Sequence, residues 1–391
     1  MTERLYDADS YLTEFKCKVV SLYSNDDNIY IETDRTAFFP EGGGQTSDIG
    51  ELGEVHVENV QIIDGKILHF VKNSVENAEK LKNQEVLCGK IDFKKRFSDM
   101  QQHSGEHIFS GIVHSLYGYN NVGFHLGSEI VTLDFDGELN EDDICKVENL
   151  VNKTIWDNIE IRVLFPTVDE LKALTYRSKI EIEGQVRIVE IPGIDVCACC
   201  APHVNRTGEI GIVRVVNFER YKGGTRVSIL CGERALYDLR HKLKQNRLVS
   251  NLTSSKQDET AAAVERLKNE NEKLKYDIVG LTRELLSLKS ESIKADRRII
   301  IFDSKLQGKL LQDFAISLMD KVTEFAACFC GENGSYRYCI VSKQVNLQPL
   351  CKALNTAFSG RGGGKPEIVQ GSLAGSEEAI RNFLSQLAIS N

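Results

Sequence analysis

The sequence predicts an α+β protein of several domains, and three observations predict it. Short apolar runs of period two fill the first ninety residues. Strand-like and helix-like runs then alternate. Residues 241–297, nearly free of glycine and proline, carry apolar positions three and four apart. The chain has 391 residues, and at about 100–200 residues per domain two to four domains are expected. The expected division is a small N-terminal β-barrel over 1–90, an α+β domain over 91–240, a helical connector over 241–297 and a small α/β domain over 298–391.

The elements follow in order. "FKCKVVSLY", "NIYIETD", "EVHVENVQII" and "KILHFVK" read as strands, broken by Asn, Asp and Gly, and several short strands close together suggest a barrel. Between them lies a glycine-rich loop, "TAFFPEGGGQTSDIGEL". From Asp92 the spacing turns helical and stops at Gly118. "EIVTLDFDG" is a strand, and a helix follows with Asn140 as its N-cap and acids in its first turn. "IEIRVLF", "QVRIVEI", "GEIGIVRVVNFERY" and "TRVSILC" are strands. In the last domain "RIIIFD", "EFAACFC" and "RYCIVSK" are strand-like. "KLLQDFAISLMDKV", "LQPLCKALNTAF" and "SEEAIRNFLSQLA" are helix-like.

In the connector, Val264, Leu267, Asn271, Leu274, Ile278, Leu281, Leu285 and Leu288 form a heptad seam with Asn271 at an a position. A parallel homodimer through residues 257–290 is expected. The alternative is one long amphipathic helix packed on its own protein, and Gly280 weakens the helix by about 1 kcal/mol relative to Ala.

Composition limits the function. The chain is 41% hydrophobic and 27% charged, with a net charge of −9. It is not a generally basic nucleic-acid coat, so any nucleic acid must meet local patches. The first residues, "TERLYDADSYLTEF", are charged, and no signal peptide is expected. No stretch reaches the roughly 18 apolar residues of a membrane span. A cytoplasmic protein is expected, its eleven cysteines thiols and not disulfides. Eight of these, at 17, 88, 145, 231, 328, 330, 339 and 351, lie scattered and are expected to be buried thiols.

The chemistry concentrates in two short stretches. "QQHSGEHIF" sets His103 and His107 four apart on a predicted helix, so both imidazoles leave one face. "DVCACCAPH" offers Cys199 and His203 from a loop. Three histidines and one thiolate suit the four-coordinate habit of Zn²⁺. Cys197 and Cys200 are adjacent alternatives. Two rival readings stand beside this one. Cys197-x-x-Cys200 is a redox spacing, without the βαβ context of a thioredoxin. His103-x-x-Glu106-His107 is the inverted zinc-protease motif, with Glu106 as base; that motif takes a downstream glutamate, whereas here a Cys-x-x-x-His offers itself. Glu106 is otherwise a carboxylate behind the ligands or facing water.

The order H-x-x-x-H, then Gly127-Ser128 in "GFHLGS", then C-x-x-x-H resembles the editing domain of alanyl-tRNA synthetases and their freestanding relatives, the AlaX proteins. "FFPEGGGQTSDIG" is similar to that family's glycine-rich motif. "SGRGGGKPEIVQGS" looks like the signature of the DHHA1 domain. The long-form AlaX architecture fits: barrel, zinc editing domain, helical connector, DHHA1 domain. The synthetase itself is not expected, since the sequence begins at the barrel. A DHH phosphoesterase is not expected either, since no Asp-His-His occurs.

The resemblance implies one Zn²⁺ per chain, held by His103, His107, Cys199 and His203. It implies hydrolysis of the ester between a wrong amino acid, serine or also glycine, and alanine tRNA. A pocket for alanine cannot strongly reject either, because such differences are worth about 1–3 kcal/mol. His125 stands where some relatives carry glutamine, and it is expected to contact substrate, tune the water or merely pack. Thr36, Thr46 and Gln45 are candidates for the substrate pocket, with Thr132 near. Gly43-Gly44-Gln45 is also the tripeptide of release factors, here in an acid-flanked loop and so read as a tight turn. Arg361 and Lys365 bracket Gly362, Gly363 and Gly364, where cations and backbone N–H groups could hold tRNA phosphate; the plainer reading is a tight turn. Lys222 and Arg226, with Arg220, form a second patch. Two other functions compete: a non-catalytic tRNA- or RNA-binding protein with structural zinc, and a zinc metalloprotease.

Overall fold

A computed structural model describes residues 2–81, 84–178, 186–332 and 334–387. The α+β class holds, with several sheets distributed over two compact units, Met1–Leu248 and Val249–Asn391. No helix among the described residues is long and apolar enough to cross a membrane.

The first unit opens with a seven-stranded antiparallel sheet. Its order is Val55–Val57, Gly50–Leu52, Val86–Ile91, Glu14–Ser24, Asn28–Thr33, Lys66–Lys72, Asn59–Ile63. Alternation buries one face of each strand, so Ile29, Ile31, Leu52, Val57, Val71 and Leu87 share a core. Pairing between the two outermost strands is not found among the described residues.

The helix Phe93–Tyr117 comes next. Asp92 caps it by accepting from the Lys95 N–H, and Gly118, at φ +73°, ends it in the left-handed conformation that glycine adopts freely. The helix is buried nearly all round between Gln101 and Val113, polar residues included. Gln102 resolves the burial of its amide by bonding the Cys231 backbone in both directions, at 2.9 and 2.8 Å. Gly105 and Gly111 let neighbouring segments approach: a Cβ would stand 2.5 Å from Cys231 Sγ in one case and 2.5 Å from the Ile194 carbonyl in the other.

A four-stranded antiparallel sheet packs beside this helix in the order Asn121–Leu126, Val131–Phe135, Gly224–Cys231, Val213–Tyr221. Helix Glu141–Trp156 covers it, and Asn140 and Asp143 form a capping box at the expected start. A three-stranded sheet, Arg162–Leu164, Ile188–Ile191, Asp195–Ala198, leads into the cysteine loop. The strand expected over "QVRIVEI" occupies its second half; Gln185 lies outside the described residues.

The second unit holds a five-stranded sheet in the order Asp296–Phe302, Val322–Glu332, Ser335–Val341, Ile368–Ala374, Arg361–Lys365. Its first pair is parallel and the rest are antiparallel. The three expected helices are present at Lys309–Ser317, Gln348–Ala357 and Glu377–Gln386; Ala388, at the end of the last expected run, lies outside the described residues.

Two details go beyond the sequence reading. The connector is not one continuous helix: Gly232–Thr253 and Thr260–Ser292 are separate. Between them Ser254 takes φ +50°, while Thr253 Oγ1 donates to the Val249 carbonyl and Ser250 Oγ to that of Ser255. Hydroxyls in competition with the helical ladder end it. The stretch Arg361–Lys365 is no tight turn but an exposed edge strand laddered to Ile368–Ala374. Gly362 must be glycine there, since a Cβ would stand 2.2 Å from the Tyr338 hydroxyl.

Candidate metal centre

His103 and His107 project from one face of the helix Phe93–Tyr117, their rings 5.3 Å apart. The loop after strand Asp195–Ala198 brings Cys199 and His203 against them. The His203 ring lies 4.9 Å from that of His103 and 4.7 Å from that of His107. Cys199 Sγ is 3.5 Å from His103 Nε2 and 3.3 Å from His203 Nε2. One ligand atom from each of the four lies within 4.8 Å of the others, and the three imidazoles are buried. Arg187 shapes the loop by donating to the carbonyls of Cys199 and Ala201, at 2.8 and 2.9 Å.

Each imidazole is held from behind at Nδ1. His107 donates to Asp195 Oδ2 at 2.9 Å, and His103 donates to Gln45 Oε1 at 2.9 Å. Ser104 Oγ lies 3.0 Å from His203 Nδ1. Partners of this kind fix ring orientation and leave Nε2 for a metal. Arg177 Nε in turn donates to Asp195 Oδ1 at 2.7 Å.

The electrostatics favour a cation. Burial pushes the Cys199 thiol up, but the imidazoles of His103 and His203 outweigh it and hold it well below its ordinary value. Burial likewise raises Cys197, which stays up. Burial opposes charge on His107, yet the thiols and Asp195 keep its value well above the ordinary one. Burial lowers His203 to about 3. A thiolate among imidazoles thus favours positive charge at this point, a demand that a divalent cation would satisfy. The three nitrogens and one sulfur fit tetrahedral Zn²⁺.

Glu106, also buried, accepts from Ser110 Oγ at 2.7 Å and Asn121 Nδ2 at 2.6 Å, and its Oε2 lies 3.8 Å from His107 Nε2. Cys197 faces His107 and Asp195 inside the strand, and those three make a second, overlapping group of possible ligands. Cys200 is exposed; a Cβ on Gly43 would meet its Sγ at 3.6 Å.

The remaining expected residues spread out. Strand alternation turns Phe124 toward His103, with rings 4.9 Å apart, and His125 to the opposite, exposed face, so the structure does not bring His125 to the cluster. Thr36 is buried under the first sheet, its hydroxyl 2.8 Å from His69 Nε2. Thr46 lines a cleft of about 500 Å³ with Lys95, Asp99, Ser128 and Arg234. Thr132 pairs with His125 on the outer face. Arg226, on that face too, is committed to Asp134 by bonds of 2.6 and 2.7 Å, and it stacks on Tyr221 at 3.7 Å. Lys222 sits in the adjacent turn at φ +48°. In the second unit, the edge strand carrying Gly362, Gly363 and Gly364 borders a cleft of about 440 Å³ with Lys352 and Asn355; Arg361 and Lys365 are exposed.

Sequence reasoning missed Asp195, Ser104 and Asn121. The available signal was a polar helix face, Ser104 and Glu106 lying inside H-x-x-x-H itself.

Residues 186–228 match the family described as the threonyl and alanyl tRNA synthetase second additional domain. The alanyl-tRNA editing protein AlaX-L of Pyrococcus horikoshii is 29% identical, covering 97% of this chain and 96% of its own length. The alanyl-tRNA editing protein Aarsd1-A of Xenopus laevis is 32% identical over 67% of this chain and 64% of its own. The alanine–tRNA ligase of Methanobrevibacter smithii is 27% identical over 95% of this chain, which spans 44% of the ligase. Over nearly its whole length, the chain is thus related to the AlaX-type alanyl-tRNA editing proteins of the long form.

Proposed function

We propose that this protein is a zinc-dependent hydrolase that removes a wrong amino acid, serine foremost and also glycine, from alanine tRNA. The observation that carries the reading is the convergence of His103, His107, Cys199 and His203 on one buried point, in a chain whose relatives are named for alanyl-tRNA editing. These four residues would hold the ion. Bound zinc supplies a Lewis acid that acidifies water or orients the terminal ester.

The protein's own groups do the rest. Asp195 and Ser104 keep His107 and His203 aimed. Glu106, fixed by Ser110 and Asn121, takes a proton from the attacking water as its oxygen adds to the ester carbonyl; Glu106 returns that proton to the ribose oxygen as the C–O bond breaks, and the amino acid leaves as a carboxylate, its acid proton passing to solvent. A second site that hydrogen-bonds the serine hydroxyl rejects alanine, because alanine would leave a buried polar group unpaired. Thr46, on the rim of its cleft, is our candidate for that hydroxyl contact. Thr36 is the lesser candidate, since it is fully buried and engaged by His69, whereas the Thr46 hydroxyl, which accepts from Lys95 Nζ at 3.0 Å, borders the cleft. His125 is assigned no chemical step.

For tRNA, Arg361, Lys365 and the glycines between them offer an exposed strand edge, with Lys222 and Arg226 as a second contact on the first unit. The pairing of Arg226 with Asp134 weakens that second contact. We assign the work to the cytoplasm, as a homodimer through residues 257–290.

The test incubates purified protein with serine-charged and alanine-charged alanine tRNA. Release of serine but not alanine, abolished by a chelator, is expected. The second reading is a non-catalytic RNA-binding protein with structural zinc, favoured by four protein ligands that would close the coordination sphere. Zinc and tRNA bound without serine release would establish it. The protease reading loses its support, because a thiolate and a third imidazole stand where that motif takes a glutamate.

A further inference from the structure

The glycine-rich loop reaches the metal cluster through one side chain. Gly42 and Gln45 exchange backbone hydrogen bonds of 3.1 and 3.0 Å around Gly43 and Gly44, at φ +60° and +82°. Two consecutive positive φ values are the signature of a tight hairpin turn that glycine accepts without strain. The turn is seated against the neighbouring strand. The Leu126 N–H donates to the Gly44 carbonyl at 3.0 Å, and a Cβ on Gly44 would stand 2.5 Å from the Phe124 ring. Three residues on, Asp48 is locked by Arg96 of the histidine helix. The loop is therefore anchored on both sides of Gln45, to the strand Asn121–Leu126 before it and to the histidine helix after it.

Gln45 is buried, and its Oε1 accepts the Nδ1–H of His103 at 2.9 Å. Its Nε2 is buried with no partner among the described residues. A glutamine amide could turn over to pair its donor, but here that would place the imidazole proton of His103 on Nε2, the atom that faces Cys199. The amide is held in the orientation that serves the histidine and leaves its own donor unsatisfied. An unpaired buried donor costs about 1–3 kcal/mol. A fold selected for stability alone would place a methionine there.

We propose that Gln45 is a positioning residue for His103: its amide oxygen takes the Nδ1 proton and keeps Nε2 turned, bare, toward Cys199 and His203. The glycine motif is then the device that carries this oxygen from the first sheet to the metal site. The inference rests on the metal reading of the cluster given above, and not on the identity of the tRNA substrate.

The test uses the full chain stripped of metal, with Gln45→Met, which keeps the shape and removes both oxygen and orphan donor, and Gln45→Glu, which keeps an acceptor. Zinc affinity is measured by competition with a chelator, and Co²⁺ absorption reports the coordination sphere. Gln45→Met is expected to bind zinc about 10–100-fold more weakly. It should change the Co²⁺ spectrum and melt, without metal, no lower than wild type. Gln45→Glu is expected to recover most of the affinity. The proposal is overturned if Gln45→Met binds zinc as tightly as wild type, if its metal-free form melts lower, or if Gln45→Glu binds as weakly as Gln45→Met. Should Gln45→Glu fail to fold, the affinity, spectrum and melting of Gln45→Met decide alone. None of these readings needs tRNA, so absent deacylation leaves them standing; a wild-type chain that binds no zinc removes the metal reading, and this proposal with it.

Discussion

Cys199 differs from its two neighbours by what surrounds it. Imidazoles hold its thiol low, whereas burial holds Cys197 high and Cys200 lies exposed outside the cluster. Cys199→Ala is therefore expected to abolish stoichiometric zinc and deacylation together, while Cys197→Ala and Cys200→Ala keep zinc near one per chain. Metal analysis of the three variants checks this, and full zinc in Cys199→Ala would move the ligand to a neighbour. At Gly44 the constraint is steric and conformational at once: φ is +82° and Phe124 fills the space a Cβ needs. Gly44→Ala should cost about 1–3 kcal/mol in thermal unfolding, the scale of a strained backbone position. Gly65→Ala, at φ +76° with nothing within 4 Å, isolates the backbone part and should cost less. The four residues of the cluster were legible in the sequence, the histidine pair because i,i+4 spacing on a helix is a local rule. Their supporting partners Asp195 and Gln45 were not, since each lies 58 or more residues from the imidazole it holds.

Among elements, the helix Phe93–Tyr117 joins the first sheet to the metal centre. Arg96 is fully buried and donates to Asp48, to the Ser10 carbonyl at 2.9 Å and to the Ala37 carbonyl at 2.6 Å. Removing one partner strands the other charge, so Asp48→Ala should destabilise the first unit by about 3–5 kcal/mol in denaturant titration. An unchanged midpoint would show that Arg96 is satisfied by the carbonyls alone. In the second unit, Glu324 bridges Arg297 and Arg298. Burial raises its carboxyl, but the two guanidiniums prevail and hold it below the ordinary 4.5. A depressed folded value means the contribution is complete above pH 4.5 and is lost as pH falls through the depressed value. Glu324→Gln should melt lower than wild type at neutral pH, and the gap should close on acidification; a constant gap would deny the linkage. Helix ends and caps, such as Asn140 and Gly118, were readable because capping is local chemistry. The strand Arg361–Lys365 was not, because three glycines carry no strand pattern of their own. Its ladder is supplied by Ile368–Ala374.

At the scale of the molecule, the apolar seam on helix Thr260–Ser292 is exposed. Val264, Leu267, Leu274, Ile278, Leu281, Leu285 and Leu288 are 48% to 65% exposed, while Ala263, Leu286 and Ser290 carry the buried positions of that helix. A second copy of the helix, aligned by Asn271, would cover the seam. Leu274→Asp with Leu281→Asp in the full chain is expected to halve the mass found by sedimentation equilibrium; a mass that does not move refutes the pairing. By itself the sequence determined the α+β class, the position of most helices and strands, and the two short stretches that carry the clustered histidines and cysteine, because periodicity, capping and residue spacing act over a few neighbours. Only the tertiary structure decided that those stretches meet, that His125 faces away from Phe124, and that a glycine loop serves a histidine from another element. Those outcomes depend on register and burial between distant segments, which no local pattern encodes.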